Sequence, residues 1–357
     1  MGSKKNSYNL SADVIRALAI FGVVIIHTAN AVYGRPDFFD GISWWFAIIL
    51  NSVSRASIPL FILVSGYFIL AKHETFRQTL KRTINRIGIP LVFWFLVYTV
   101  WNAGNPTFEY FNLSLIYRLF TVNVFYLYFF IILIGLYLVS PLIKKYLLDS
   151  KKWSNKNLTA LLLIGGSAFY FIQYFFSLCT PANSLIYWIP YTGLFVAGYT
   201  IGKSKFKNLK LLTILFMTSL SATIAGAYFY YLLTFQENYL LGDRGCLSFY
   251  TDSFLSINVV VMSLSIYAFL MHFDFNKIVK GRLKKLIYSI ARASLGIYIL
   301  HIFLLNILDS KLKLFDPIAP AWLYVLIKLF VIFTLAYLLS LILTKIPIIK
   351  RTLGETK

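Results

Sequence analysis

The sequence predicts an all-α fold, a polytopic transmembrane helix bundle of about ten spans, on three observations. Of its 357 residues, 59% are hydrophobic and only 13% are charged, about half the charge of a soluble domain, and mean hydropathy is +0.73. The apolar residues fall in runs long enough to cross a bilayer core, which takes about 20 helical residues. The basic residues alternate from one connecting segment to the next, the pattern that orients helices in a membrane.

In chain order the runs lie near 13–33, 44–71, 87–103, 122–141, 158–176, 185–201, 209–235, 253–271, 286–308 and 321–343, read from apolar length. The N-terminus, every second connection and the C-terminus together hold 25 of the 34 Lys and Arg, counting Lys210 at the start of its run with the connection before it. The opposite loops hold only Arg35, Arg118, Arg244, Lys311 and Lys313, and Arg16, Arg55, Arg292 and Lys328 lie inside spans. Short basic loops stay cytoplasmic, so both termini are expected there. The net charge of +21 is then a topology device with some attraction for anionic lipid headgroups, and nucleic acid is excluded as a partner. Eight acids against five bases leave the outer loops mildly acidic. The 33 Phe, 25 Tyr and 7 Trp suit helices packed in lipid with tyrosines near the interfaces.

The first apolar run contains Arg16 and has no small-residue cleavage site, so no cleavable signal peptide is expected. With no internal repeat, low-complexity tract or appended soluble domain, residues 1–357 are expected to form one membrane-embedded domain. The Lys- and Asn-rich composition reads as bacterial, which points to a multi-pass protein of the cytoplasmic membrane. Nothing in the chain marks an oligomeric state. Cys179 and Cys246 both fall in outer loops by this topology. An oxidising exterior permits a bridge between them; two unpaired thiols are the alternative.

Ionisable side chains at membrane depth are costly and mark functional sites by default. In "DVIRALAIFGVVIIHT" (residues 13–28), eleven residues separate Arg16 from His27. At ~100° each they turn only ~20° past three full turns, so the two share one face, ~16 Å apart along the axis. That is about half of a bilayer core. A buried histidine is often structural, but a neutral imidazole also takes a proton from a hydroxyl as a general base. Arg16 either snorkels with Asp13 as partner or, held by Asp13, reads a phosphate or carbonyl in a cavity.

Arg55 lies near the centre of span two, among Asn51, Ser52, Ser54 and Ser57, too deep to snorkel. Pro59 tends to kink the helix there, and no acid lies nearby in the span, so Arg55 is expected to line a cavity without a carboxylate partner. Ser65, Gly66 and Tyr67 form a close-packing point near the cytoplasmic end. Arg82 and Arg86 stand at i and i+4 just before span three, a spacing that either clamps phosphate or serves topology alone. Arg292 and His301 are nine residues apart, ~900°, and are expected on opposite faces of span nine. Lys328 is expected to snorkel or pack structurally. The sequence has no phosphate-binding glycine loop, no His/Cys cluster at metal-ligand spacing, no HExxH and no GxSxG, so no metal or resident cofactor is expected.

The segments "DVIRALAIFGVVIIH", "RASIPLFILVSGYFI", "KRTINRIGIP", "FYLYFFIILIGLYLVSPLI", "YTGLFVAGYTIG" and "ASLGIYILHIFLL" occur in this order, and the chain resembles the acyltransferase-3 family of integral membrane proteins over roughly residues 8 to 345. The resemblance implies transfer of an acyl group, most often acetyl from acetyl-CoA, across the membrane to a hydroxyl of an extracytoplasmic saccharide or glycolipid. It maps the family's arginine and histidine onto Arg16 and His27, and its basic pair onto Arg82 and Arg86. The "RASIPLF" form is similar to a stand-alone branch that includes the enterobacterial-antigen O-acetyltransferases. Where relatives often show His-x-Trp-Phe-Leu-Tyr in the fourth span, this chain has Asn123 and Phe125. Relatives with a secreted SGNH-type domain hand the acyl group on; this chain is expected to acylate its acceptor itself or pass the group to a separate protein.

The catalytic set expected from residues and resemblance together is His27, Arg16, Asp13 and Arg55. Arg16, Arg82, Arg86, Ser65, Gly66 and Tyr67 are expected to contact acyl-CoA. A transporter or flippase for a polysaccharide precursor or an acylated compound is the competing class, since intramembrane Arg and His also line substrate paths. Inverted repeats would favour it, and none is found. A lipid-linked polysaccharide polymerase would need larger outer loops.

Overall fold

In the computed structural model the described residues are 9–103, 127–149, 154–176, 186–204, 206, 208–236, 250–311 and 320–354, and among them every regular element is helical. Nine helical runs among them are long and apolar enough to cross a membrane. Cys179, Cys246, Asn123 and Phe125 lie outside the described residues.

Helix α1 (Leu10–Tyr33) begins where the Asn9 side chain accepts from the Ala12 N–H, satisfying one of the first-turn donors. It runs through the middle of the bundle, against the helices of span two and against three later ones. Its buried residues, such as Ile15, Ala19, Ile20, Val23 and Val24, wrap most of its circumference, as expected for a central helix.

Span two is broken. Helix α2 (Ile42–Ser54) ends at Arg55, and α3 (Ser57–Ile69) starts two residues on. Pro59 has no N–H to offer the carbonyl four residues back, which is that of Arg55, so the break falls where the sequence places the kink. It sets the Arg55 side chain at a helix end, deep in the bundle.

The third span is longer than its apolar run. The amphipathic α4 (Phe76–Thr83) opens with a Thr75–Gln78 capping box. It passes through a π-helical turn, Ile84–Gly88, into α5 (Ile89–Ala103). Helix α6 (Tyr128–Leu142) follows, then the peripheral α7 (Asn155–Phe175).

The expected span 185–201 is a different object. Only Thr192–Lys203 is α-helical (α8), preceded by a 3-10 turn at Ile189–Tyr191. Twelve residues reach ~18 Å, short of a ~30 Å core. The helix is instead buried inside the bundle between α3 and α7. Glycines make that possible. A Cβ on Gly66 would overlap the Phe195 carbonyl, and one on Gly198 would overlap the carbonyl of Leu63. Gly66→Ala therefore forces two backbones apart. It should cost ~1–3 kcal/mol, the usual scale of overpacking, seen as a lower melting temperature in detergent. An unchanged transition would show that α3 and α8 do not meet there.

Helices α9 (Leu209–Gln236) and α10 (Ile257–His272) pair, tied by Asn258 donating to Thr223 at 2.9 Å. Helices α11 (Gly281–Asn306) and α12 (Ala321–Leu343) pair likewise, and the short α13 (Pro347–Thr352) closes against α5. Lys328 of α12 is 3% exposed and bonded to Asp309 at 2.5 Å, so it packs structurally and does not snorkel. Asp13 and Gly354 line one cavity, which puts both ends of the described chain at the same, basic end of the bundle.

Candidate active site

Two spaces that share Tyr298 as a lining residue lie in the bundle, one bordered by Arg16 and the other by His27. The larger, about 640 Å³, sits at the basic end and is within the size range of small-molecule sites. Arg16 of α1, Arg86 of the π-helical turn and Arg292 of α11 bring three guanidinium groups to its wall. Arg16 donates to Asp13 at 3.2 Å and lies 4.7 Å from the centre of the Phe68 ring, so its fork is held on one side by a carboxylate and on the other by an aromatic face. Among the described residues Arg86 makes no ion pair. Tyr137 donates to Ser65 at 3.3 Å on the opposite wall. Such a space attracts phosphate by charge and geometry together.

The inner chamber is small, about 150 Å³, and lies further along α1. His27, Arg55, Tyr128, Phe254, Tyr298 and His301 line it. The His27 and His301 rings are 5.2 Å apart between centroids. Tyr298 also lines the basic cavity, and its neighbour across the wall, Phe129, faces that cavity while Tyr128 faces the chamber. Tyr298 is thus common to the walls of both spaces.

Arg55 differs from expectation. It does have a carboxylate partner: Asp252, which precedes α10 and which also accepts from Asn51 at 3.5 Å. The pair is nearly enclosed, with side-chain exposures of 15% and 13%. Only the end of the guanidinium is used, however. The Arg55 Nε–H is buried and has no hydrogen-bond partner among the described residues.

The expected basic pair is split. Arg86 faces the basic cavity, while Arg82 turns to Glu74 and lines a second polar pocket with Lys72, Lys144 and Lys145. The cause is the π-helical turn Ile84–Gly88. It takes in more residues than an α-turn, so positions aligned on an α-helix rotate away from each other. Burial, then the Arg82 charge, pulls the Lys72 ammonium below its usual range. Of the Ser65, Gly66 and Tyr67 run, only Ser65 reaches the cavity. Gly66 packs on the Phe195 backbone, and Tyr67 accepts from Asn9 at 3.3 Å and packs on Gly202.

Arg292 and His301 were expected on opposite faces, yet both line the site, Arg292 in the basic cavity and His301 in the chamber. Ala291, Ser294, Tyr298 and His301 recur at intervals of three and four, one continuous face of α11. Arg292 joins its edge by the reach of its long side chain. That stripe of small and polar residues is the signal that nine-residue arithmetic on two positions passes over.

The bundle thus holds a basic cavity whose arginines suit an anion and, next to it, a chamber with two histidines, side chains able to move a proton. A sequence model described as an acyltransferase domain matches residues 9–341, and the chain belongs to this acyltransferase-3 family of multi-pass membrane proteins. No curated protein and no solved structure matches it.

Proposed function

We propose that the protein carries an acyl group from cytoplasmic acyl-CoA through the bundle to a hydroxyl of a saccharide or glycolipid presented from the other side. The observation that supports this most is the succession of the two spaces: three arginines in a cavity at the basic end, and, sharing Tyr298 with it, a small chamber lined by His27. The charge pattern assigns the basic end to the cytoplasm. The phosphates of CoA would rest by Arg16, Arg86 and Arg292, and the pantetheine arm would bring the thioester past Tyr298.

In the chamber the hydroxyl oxygen attacks the thioester carbonyl carbon while His27 takes the hydroxyl proton. The oxyanion that forms needs a donor already in place, and the unused Arg55 Nε–H is such a donor. As the intermediate collapses the C–S bond breaks, and His27 returns the proton to the departing thiolate. A chamber of about 150 Å³ holds roughly five water volumes, which favours acetyl over long acyl chains. The acceptor is glycan in a bacterial cytoplasmic membrane on this reading, and no resident cofactor is involved.

The donor assignment makes a prediction about affinity. Arg16→Ala and Arg86→Ala should each weaken CoA binding by about ten- to hundredfold, the worth of a charged hydrogen bond at ~1.5–3 kcal/mol. Arg82→Ala should change it less. Calorimetry of CoA binding to the detergent-solubilised protein measures this; an unchanged affinity in Arg16→Ala would leave Arg16 as a structural partner of Asp13. Activity itself is tested by release of free CoA thiol from acetyl-CoA. Release that rises with added acceptor supports acyl transfer, and its absence, with saccharide still crossing proteoliposome membranes, would favour a transporter.

A further inference from the structure

His301 lines the chamber and has a hydrogen-bond acceptor that no described residue serves. Its Nδ1 lies 3.1 Å from the Ile297 carbonyl oxygen one helical turn back. A carbonyl can only accept, so Nδ1 holds the ring proton and Nε2 is left with a bare lone pair. The residue is 1% exposed, and Nε2 has no hydrogen-bond partner among the described residues. A buried acceptor without a donor is costly and calls for an explanation. His27 is the nearest imidazole, 5.2 Å ring to ring, and does not supply that donor. The Arg55 guanidinium, the other charged group on the chamber wall, is spent at its tip on Asp252. Among the described residues no donor is left, and a group that enters the chamber would supply one.

We propose that His301 sets acceptor specificity: its Nε2 accepts a hydrogen bond from a second hydroxyl of the acceptor, adjacent to the one that His27 deprotonates. The inference rests on the acyl-transfer reading and adds to it a substrate class, carbohydrates with vicinal hydroxyls. Adjacent hydroxyls on a sugar ring are separated by about one hydrogen-bond length. An acceptor that offers one to His27 therefore brings its neighbour within reach of a ring alongside. An acceptor with a single hydroxyl leaves Nε2 unserved, and a site built to bond a hydroxyl discriminates strongly against an analogue that lacks it. His301 also touches no part of the leaving group's path on this account. Its loss should change which acceptors are used more than how fast the thioester is cleaved.

The test uses methyl α-glucopyranoside and its 2-deoxy, 3-deoxy and 4-deoxy analogues with the full-length protein in detergent. Equilibrium binding and acyl transfer are both measured. The wild type should favour the parent glycoside over at least one deoxy analogue by about tenfold or more. His301→Asn keeps an N–H for the Ile297 carbonyl but has no acceptor at the Nε2 position, and it should treat parent and analogue alike. His301→Gln, whose amide oxygen reaches toward that position, should recover part of the preference. Equal binding of all four glycosides by the wild type would overturn the proposal. So would a His301→Asn protein that loses the parent and the deoxy analogues in the same proportion, which is what a residue orienting His27 would do. Because binding is read without turnover, an intact hydroxyl preference with no CoA release would count against acyl transfer and not against His301.

Discussion

His27→Ala is expected to abolish acyl transfer while the bundle inserts and stays folded. Removing a general base costs about 10²–10⁴ in rate, enough to take turnover below a few per cent of wild type. The side chain borders the chamber, so its truncation enlarges an existing space and disturbs packing little. His27→Gln preserves size and hydrogen bonding without basicity and should be nearly as inactive. Thiol release from acetyl-CoA gives the rate, and size-exclusion profile with melting temperature gives the fold. Substantial activity in a well-folded His27→Ala protein would remove His27 from the chemistry and leave it a helix-packing residue.

Arg55→Met is expected to fail twice over. The change strands Asp252 in a nearly enclosed position, and breaking a buried ion pair by deleting one partner costs ~3–5 kcal/mol. On the proposed reaction it also removes the Nε–H donor to the oxyanion, worth about 10²–10³ in turnover. The two losses separate in a second variant. Arg55→Met combined with Asp252→Leu leaves no uncompensated charge, so stability should return, since buried pairs replaced by apolar residues are often neutral. Activity should not return with it. A stable double variant with full turnover would reduce Arg55 and Asp252 to an architectural pair.

How much of this could be read from residues depends on how far each interaction reaches along the chain. The face shared by Arg16 and His27 follows from helix geometry within one element, and the two residues do line successive spaces on one side of α1. The break at Arg55 was legible for the same local reason, the missing Pro59 N–H. Asp252 was not. It stands 197 positions from Arg55 in a segment that reads as an outer loop, and only the packing of α10 against α1 and α3 carries it to that depth. The split of Arg82 from Arg86 turns on a π-helical turn that no spacing rule anticipates. The segment 185–201 has the apolar content of a span, but its glycines specify close burial between α3 and α7. His301 shows a further limit: two positions on an ideal helix were compared, where the face is a stripe of four.

The central claim is that donor and acceptor meet in the His27 chamber from opposite sides of one membrane. Proteoliposomes of defined orientation, with acetyl-CoA confined to the side of the basic loops and a saccharide acceptor confined to the other, test it directly. The account predicts acetylated acceptor on one side, an equal amount of free CoA thiol on the other, and neither when the two substrates are exchanged. Acetylation seen only when donor and acceptor share a compartment would contradict it.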